Sequence, residues 1–352
     1  MNNNEPVIAK PKPYLVSVEQ GKRYAWCACG RSKTQPFCDG AHRDTALMPV
    51  VFVAEKTEDV LLCGCKQTRK RPFCDGAHNN LQDTYEEASA TEIAAMQNAS
   101  LVTRDRGDFG KALLDGGAFV LTPDHSAATR KGALSALSLI DRSDGATHLS
   151  LTLFTAAGRT PWRLYEESDT VLFVVSGNGV INIEGVRFDV GPQTGVFVRM
   201  GEAFQFEPKG EMQIATAICP QGAACWPDQL TGSFDKRFPD RCVAFDRVKA
   251  NIMADRFYQV LVDEQVGSTG VTQFIGGVPL SRAAFHRHLY EEAIVILSGE
   301  GVMWTENFRA QVMPGDVIYL PARQGHSLEC TTHDGMRLMG VFYPSGSPAI
   351  NY

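Results

Sequence analysis

The first 80 residues contain the same set of metal-ligand side chains twice, at an offset of 36 residues. Each copy places three cysteines and one histidine within 16 residues, with a proline and an Asp-Gly pair at matching positions. The ligands are Cys27, Cys29, Cys38 and His42 in the first copy, and Cys63, Cys65, Cys74 and His78 in the second. Because thiolates bind zinc, copper(I) or iron–sulfur clusters, each copy predicts a local four-ligand site.

Zinc and disulfides explain this cysteine spacing poorly. Structural zinc sites usually contain C-x2–4-C followed by a second ligand pair, whereas each copy here has C-x-C and no second pair. Three cysteines per copy would leave one unpaired in a disulfide framework, and the polar start of the chain does not resemble a secretory signal. The pattern C-x-C-x2-[S/T]-x3-P-x-C-D-G-[S/A/T]-H resembles the CDGSH iron–sulfur family. That resemblance implies one 2Fe–2S cluster in each copy, held by three cysteines and one histidine.

The surroundings of the two ligand sets add three expectations. Each copy follows a hairpin-like stretch, at residues 15–26 and 50–62. Single-copy members of the family pair as homodimers, so the tandem resembles such a dimer within one chain. A histidine ligand raises the reduction potential over an all-cysteine site, so we expect His42 and His78 to tune the potential with pH.

Charge is distributed unevenly along the 352 residues, whose net charge is −6. Residues 1–80 carry 12 Lys and Arg against 8 Asp and Glu. The basic residues beside the second ligand set are Lys66, Arg69, Lys70 and Arg71. They form either an ordinary solvated loop or a docking site for an acidic electron donor such as a ferredoxin, a flavodoxin or a reductase. The acidic chain argues against nucleic-acid binding, and the lack of a long apolar run predicts no membrane contact. Reduced cysteines and iron–sulfur ligands favour a cytoplasmic protein.

The remaining residues predict a linker followed by two β domains. We expect a tandem CDGSH-type domain at 1–80, a linker with a short helix from Ser89 at 81–110, and β domains at 111–235 and 236–352. From residue 111 the chain alternates short apolar runs with Gly, Pro and Asp, which is typical of a sandwich or barrel. The run Leu164-Tyr-Glu-Glu167 recurs as Leu289-Tyr-Glu-Glu292, so two similar β units follow one another.

The second β unit contains a set of four metal donors. His286, His288 and Glu292 share one strand face, and His326 follows on a strand expected to be a neighbour. Their spacing resembles the two cupin motifs, H-x-H-x3–4-E-x6-G and G-x5-P-x4-H. The resemblance implies a mainly β fold of two jelly-roll barrels, a bicupin, in which these four residues bind a metal.

The first β unit lacks these donors. One alignment places Pro161, Trp162 and Arg163 at the first motif, and the other places Leu164, Glu166 and Thr170 at the ligand positions. We therefore expect a degenerate, metal-free barrel. The bicupin layout also resembles ureidoglycine aminohydrolases, although their ligand set differs from the His-His-Glu-His set of this chain.

Three imidazoles and one carboxylate suit Fe(II), Mn(II), Ni(II) or Zn(II). The two predicted clusters favour a non-haem Fe(II) oxygenase or oxidase that acts on a small polar molecule, because such an enzyme uses single electrons. A redox-neutral Mn or Ni hydrolase or isomerase and a non-catalytic redox or ligand sensor remain alternatives. Candidate substrate-contacting residues at the barrel mouth are Tyr319, Arg323 and Arg282. A homodimer is a further expectation.

Overall fold

The structure is a computed structural model that describes residues 6–10, 13–77, 98–230, 232–253 and 255–348. The chain divides into two compact units, residues 1–87 with 347–352 and residues 88–346. The fold is mainly β. The helices of the described residues are short 3-10 turns at Ala41–Asp44, Asp115–Gly117, His125–Ala127, Arg142–Asp144, Arg247–Lys249 and Glu264–Val266. The helix predicted from Ser89 lies outside the described residues, and within them no helix is long and apolar enough to span a bilayer.

Strands of the N-terminal unit pair between the two copies of the ligand set. They are β1 (Tyr14–Val18), β2 (Arg23–Trp26), β3 (Val50–Val53) and β4 (Glu58–Leu62). β1 pairs with β4 and β2 with β3, both antiparallel, so the prediction of a hairpin within each copy is wrong. The pairing across copies places Trp26 and Leu62, both fully buried, in one apolar core. Burial of these two large side chains together favours the interwoven arrangement over separate hairpins.

The second unit contains the remaining strands. They are β5 (Ser100–Leu101), β6 (Gly110–Leu113), β7 (Phe119–Thr122), β8 (Thr129–Lys131), β9 (Leu134–Ile140), β10 (Ser150–Ala156), β11 (Asp169–Ser176), β12 (Gly179–Ile183), β13 (Val186–Val190), β14 (Thr194–Val198), β15 (Phe204–Pro208), β16 (Met212–Cys219), β17 (Cys242–Ala244), β18 (Asn251–Met253), β19 (Arg256–Val262), β20 (Thr272–Val278), β21 (Glu291–Ser298), β22 (Gly301–Trp304), β23 (Phe308–Val312), β24 (Val317–Leu320), β25 (Ser327–Cys330) and β26 (Met336–Tyr343).

These strands form two barrels, each made of a large and a small sheet. The first barrel combines the sheet β17-β14-β11-β16-β10-β9-β8 with β13-β12-β15, around a core that includes Phe154 and Ile181. The second combines β18-β19-β20-β26-β21-β24-β7-β6 with β25-β22-β23-β5, around a core that includes Met303 and Ile318. The jelly-roll architecture expected from the sequence is therefore present in both halves of this unit.

The two barrels exchange strands at their boundary. β6 and β7, which the predicted boundaries place in the first barrel, pair with β24 of the second through β7. β17 lies beyond the predicted boundary at 235 and yet pairs with β14 of the first barrel. β5, in the predicted linker, pairs in parallel with β23. The exchange extends both large sheets over a shared apolar core that includes Phe119, Phe173 and Val341, which explains the difference from the predicted boundaries.

Candidate metal centre and cluster sites

The four predicted donors of the second barrel lie together in its interior. One ligand atom each from His286, His288 and His326 lies within 4.8 Å of the others. The Glu292 Oε2 atom is 3.5 Å from Nε2 of His288 and 3.8 Å from Nε2 of His326. Glu292 is the second residue of β21, and a backbone bridge between His286 and His326 joins the two motif segments. Two sequence segments about 40 residues apart thus converge on one point.

Backbone acceptors orient two of the imidazoles. Nδ1 of His286 donates to the carbonyl of Ala284 at 2.8 Å, and Nδ1 of His326 donates to the carbonyl of Gln324 at 2.9 Å. A carbonyl only accepts, so Nδ1 carries the proton and Nε2 keeps its lone pair in each ring. This is the arrangement by which proteins fix histidine ligands to metals.

Burial makes charges at this site costly in the absence of a cation. It raises the pKa of Glu292 to about 8. Burial, with a smaller effect of the positive charge of Arg256, lowers the pKa of His286 to about 4. Among the described residues, the buried Oε2 atom of Glu292 has no hydrogen-bond partner. Two imidazoles whose pKa values burial lowers, a third imidazole and a carboxylate without a hydrogen-bond partner lie around one point and fit a divalent metal.

Aromatic side chains pack beside the donors, and an arginine lies on a strand face that lines the same barrel. The Tyr290 ring stacks on the His288 ring at 4.8 Å between centroids and lies 4.2 Å from the Phe342 ring. On β19, Tyr258 packs against the core of the second barrel, whereas Phe257 covers Gly277 and contacts Phe245. Alternation along the strand therefore turns Arg256 towards the barrel interior as well. Its side chain is 17% exposed.

Arg256 and Tyr258 were missed by the sequence analysis. They lie about 30 residues before the first histidine, outside both cupin motifs. Only the period-two alternation of β19 could have identified their face, and the sequence does not show which strand that face meets.

Of the three residues predicted to contact substrate, Tyr319 is turned away from the metal donors. Tyr319 is fully buried between the barrels, where its hydroxyl donates to Glu291 Oε1 at 3.2 Å. It pairs with Ala293, whereas Leu320 pairs with Glu292, so strand alternation turns Tyr319 away from the metal donors. The Arg282 guanidinium lies 4.0 Å from the Trp304 ring centroid, with Nε 3.3 Å from Ser327 Oγ.

The backbone of Arg323 contacts one of the metal-donor residues. Its N–H donates to the carbonyl of His288 at 2.5 Å, while its side chain is exposed. The residue has a left-handed φ of 70°, which turns the chain sharply between Pro321 and His326. The predicted barrel-mouth role of the Arg323 side chain stays a prediction.

An arginine occupies the corresponding position of the first barrel. Strands β11 and β21 correspond in length and in their final serine, which places Thr170 at the position of Glu292. Arg163 and Phe204 form the backbone bridge that matches His286 and His326. The Arg163 guanidinium lies 4.4 Å from the ring centroids of Phe154 and Trp226. A positive charge therefore stands where the second barrel gathers its metal donors.

The predicted ligands of the first copy form two close pairs. Sγ of Cys27 is 3.6 Å from Sγ of Cys29, and Sγ of Cys38 is 3.1 Å from Nδ1 of His42. The Gly40 amide donates to Sγ of Cys38 at 3.4 Å, a contact that can also serve a bound cluster. The carboxylate of Asp39 accepts the amides of Lys33 and Ala41, which fixes the turn.

The second copy repeats this turn. Sγ of Cys63 is 3.5 Å from Sγ of Cys65, and Asp75 accepts the amides of Arg69 and Ala77. All cysteines of the described residues are free thiols. His78 lies outside the described residues, so its role as a ligand stays a prediction. Soft thiols with neighbouring amide donors fit an iron–sulfur cluster.

Lys66 does not belong to an exposed basic loop. Arg69, Lys70 and Arg71 are exposed, but Lys66 is 1% exposed. Burial lowers the pKa of the Lys66 ammonium, and thiolates such as Cys27 and Cys63 oppose that shift. The sequence grouped the four residues because all are basic, yet a left-handed φ of 67° turns Lys66 inward.

Two family models match parts of the chain. The model described as an iron-binding zinc finger of the CDGSH type matches residues 4–43, and the cupin domain model matches residues 279–342. CDGSH iron-sulfur domain-containing protein 3, mitochondrial, of Mus musculus is 49% identical over 55 residues, which cover 15% of this chain and 40% of that protein. Its Homo sapiens counterpart is 50% identical over 56 residues, covering 15% and 44%. The chain thus spans less than half the length of these curated relatives.

Solved structures resemble the barrels at low sequence identity. Protein Ylba from E. coli is 18% identical with a TM-score of 0.52, covering 67% of this chain and 95% of that one. A salicylate 1,2-dioxygenase variant from Pseudoaminobacter salicylatoxidans, in complex with gentisate, is 13% identical with a TM-score of 0.51, covering 61% and 75%. At these identities the likeness shows the fold alone. The chain therefore joins a CDGSH-type domain at its N terminus to a cupin domain in its C-terminal part.

Proposed function

We propose that this chain is a metal-dependent cupin oxidoreductase, a non-haem Fe(II) oxygenase or oxidase that receives electrons from two 2Fe–2S clusters of its own. The observation that carries the proposal is the clustered donor set His286, His288, Glu292 and His326, present in the same chain as two complete sequence copies of a cluster ligand set. A hydrolase or isomerase needs a metal but no electrons, whereas an oxygenase that must be re-reduced needs both.

The number of electrons that an oxygenase consumes supports the combination of two clusters with one metal site. Insertion of one oxygen atom of O2 into a substrate, with the other atom leaving as water, consumes two electrons and two protons. When bound, two clusters would each supply one electron, and the iron would supply the site at which O2 reacts.

Side chains and backbone carbonyls of the second barrel enclose and orient the metal donors. Tyr290 and Phe342 pack on one another, and Tyr290 stacks on His288, so both rings restrain this imidazole and exclude water from one side of the donors. The carbonyls of Ala284 and Gln324 keep a proton on Nδ1 of the two histidines that they contact. The site is thereby preorganised to present ring nitrogens to a metal.

Arg256 supports a carboxylate-bearing substrate. Its charge acts on His286, and its strand face is that of Tyr258 in the barrel interior. A guanidinium binds a carboxylate in a bidentate manner, and an aromatic wall accommodates the apolar part of a small molecule. We therefore take small organic acids as the first substrates to test.

The experiment combines metal analysis with O2 uptake. Protein loaded anaerobically with Fe(II) and reduced should consume O2 when a small organic acid is added. The variant His286→Ala should lose one metal per chain and the O2 uptake while keeping the visible cluster spectrum, because the two ligand sets share no residue. Arg256→Met should retain the metal and raise KM about tenfold or more, since a charged hydrogen bond is lost.

Arg163→Ala provides the matched control, since Arg163 is the counterpart of His286 in the first barrel. This variant should keep the metal. Substrate turnover at the full rate with Mn(II) or Ni(II) and without O2 would contradict the oxygenase and favour the redox-neutral alternative. A colourless protein that binds only zinc would contradict the cluster assignment.

A further inference from the structure

The two copies of the ligand set differ at the residue that follows the second cysteine. This residue is Gly30 in the first copy and Lys66 in the second, and both have a left-handed φ, of 76° and 67°. A Cβ on Gly30 would lie 1.7 Å from the backbone oxygen of Val7, so no side chain fits there. In the second copy this space is open to a long side chain. A lysine is held in a backbone conformation that L-residues rarely adopt.

The Lys66 side chain links the two copies. Its Nζ donates to Oε1 of Gln35 in the first copy at 2.9 Å and to the carbonyl of Cys63 in the second at 3.0 Å. Nε2 of the same Gln35 amide donates to Sγ of Cys27 at 3.4 Å. A continuous hydrogen-bonded path therefore runs from a ligand of the first site to a ligand residue of the second. Lys66 is its central member.

The environment of this ammonium requires negative charge. Lys66 is 1% exposed, and Nζ lies 4.6 Å from the Trp26 ring centroid. The direct acceptors of Nζ are a neutral amide and a carbonyl, and a buried ammonium is costly unless a negative charge compensates it. Ligand residues of both copies lie around this ammonium, since Gln35 joins it to Sγ of Cys27 and the carbonyl of Cys63 accepts from Nζ directly.

We infer that Lys66 is a shared counter-charge between the two cluster sites and holds the reduction potentials of both clusters high. The inference rests on the two-cluster assignment of the proposed function. Reduction of a cluster by one electron adds one unit of negative charge, so a nearby buried cation stabilises the reduced form over the oxidised form. Through Gln35 the effect reaches the first site, and through the Cys63 carbonyl it reaches the second. Lys66 acts on the clusters through its charge and is not itself a cluster ligand.

The test is a potentiometric titration of the full chain, followed by visible absorption and by electron paramagnetic resonance of the reduced clusters. Lys66→Met keeps the length of the side chain and removes the charge. It should lower the equilibrium constant for reduction of each cluster about tenfold, which corresponds to about 59 mV for a one-electron couple. Lys70→Met is the matched control, since Lys70 is exposed and only four residues away. This variant should leave both potentials unchanged.

A second variant tests the inference if Lys66→Met fails to fold. Gln35→Glu keeps the shape of the amide and places a carboxylate beside Nζ, so it should also lower the potentials, most strongly at the first site. Clusters retained at wild-type potentials in both variants, or in Gln35→Glu alone where the other fails, would overturn the inference and leave the cluster assignment intact. The absence of a 2Fe–2S spectrum from the wild-type protein would overturn both.

Discussion

Two adjacent glutamates on β21 show how strand alternation separates two roles. Glu291 faces the core between the barrels, where it accepts the amides of Thr147, His148 and Leu149. Glu292 faces the interior of the second barrel, where its Oε2 atom lies beside two imidazoles. Amide donors satisfy the first carboxylate, and only a cation would satisfy the second. Metal removal should therefore leave the Glu291 carboxylate unaffected and leave the Glu292 carboxylate without a compensating charge.

Metal-free protein should lose stability as the pH rises from about 6.5 to 8. The pKa of Glu292 is about 8 in the folded state and 4.5 in the unfolded chain, so the folded state binds the extra proton in this range. The slope is about 1.4 kcal/mol per pH unit well below pH 8 and about half of that at pH 8, so Glu292 contributes a loss of about 1.5 kcal/mol over the range. Burial lowers the pKa of His286 to about 4 and that of His326 below its ordinary value, so these two residues oppose the trend weakly near pH 6.5 and act mainly at lower pH, where stability falls as the pH falls.

Thermal melting of chelator-treated protein at pH 6.5 and pH 8 measures this loss. Glu292→Gln should remove this loss of stability with rising pH, because an amide does not titrate. The variant Glu300→Gln is the control, since Glu300 is exposed. Equal melting temperatures of the wild type at both pH values would show that Glu292 is ionised in the folded, metal-free chain.

At the scale of single residues, the sequence predicted candidate ligands better than their surroundings. The cysteine and histidine spacings are local, and a short segment fixes them. The sequence around Lys66 does not predict its burial, because that burial depends on Gln35 of the other copy. Tyr319 was placed at the barrel mouth although alternation beside Leu320 argued for the opposite face. Arg256 was missed because β19 reaches the site only through tertiary pairing.

Strand positions in the N-terminal unit were predictable, but strand partners were not. Each predicted run corresponds to a strand, since β-branched and aromatic residues mark it. The choice between β1 with β2 and β1 with β4 depends on what each pairing buries. The observed choice buries Trp26 against residues of the other copy, including Leu62. The sequence of one copy alone contains no information on the core that the two copies share.

Interweaving predicts that the two cluster sites unfold together. Leu62 is fully buried on β4, which pairs with β1 of the first copy and precedes the cysteines of the second. Leu62→Ala should destabilise this unit by about 2–5 kcal/mol through lost burial and a cavity. In urea, both cluster absorptions should bleach in one transition at lower denaturant.

Leu15→Ala is the matched control, because Leu15 lies on β1 and is 50% exposed. It should shift the transition little. Two separate bleaching transitions in the wild type or in Leu62→Ala would show that each copy is stable alone, which contradicts the interwoven unit.

On the scale of the whole molecule, the chain combines a unit with soft thiol ligands and a unit with harder nitrogen and oxygen ligands. The first set suits one-electron carriers, and the second suits a divalent metal. The barrel architecture was predictable because both cupin motifs are complete in the second barrel. The exchange of β6, β7 and β17 was not, since it follows from the core that the barrels share.

Loss of either cluster should limit turnover without weakening substrate binding. Cys38→Ser and Cys74→Ser each remove one thiolate from a cluster ligand set and leave the barrel interior unchanged. The rate over many turnovers with an external reductant should fall about tenfold or more, whereas substrate affinity should match that of the wild type. Steady-state O2 uptake measures the rate, and equilibrium titration of the Fe(II)-loaded protein measures the affinity.

Cys225→Ser is the control for these variants, because Cys225 is an exposed thiol outside both ligand sets. It should keep the wild-type rate. In a single turnover, fully reduced protein mixed with O2 and substrate should show cluster re-oxidation in step with product formation, because the two electrons leave the clusters as the oxygen atom enters the product. Full-rate turnover by cluster-free protein without a reductant would remove the clusters from the catalytic path. A redox-neutral cupin with structural or sensing clusters would then describe the chain better.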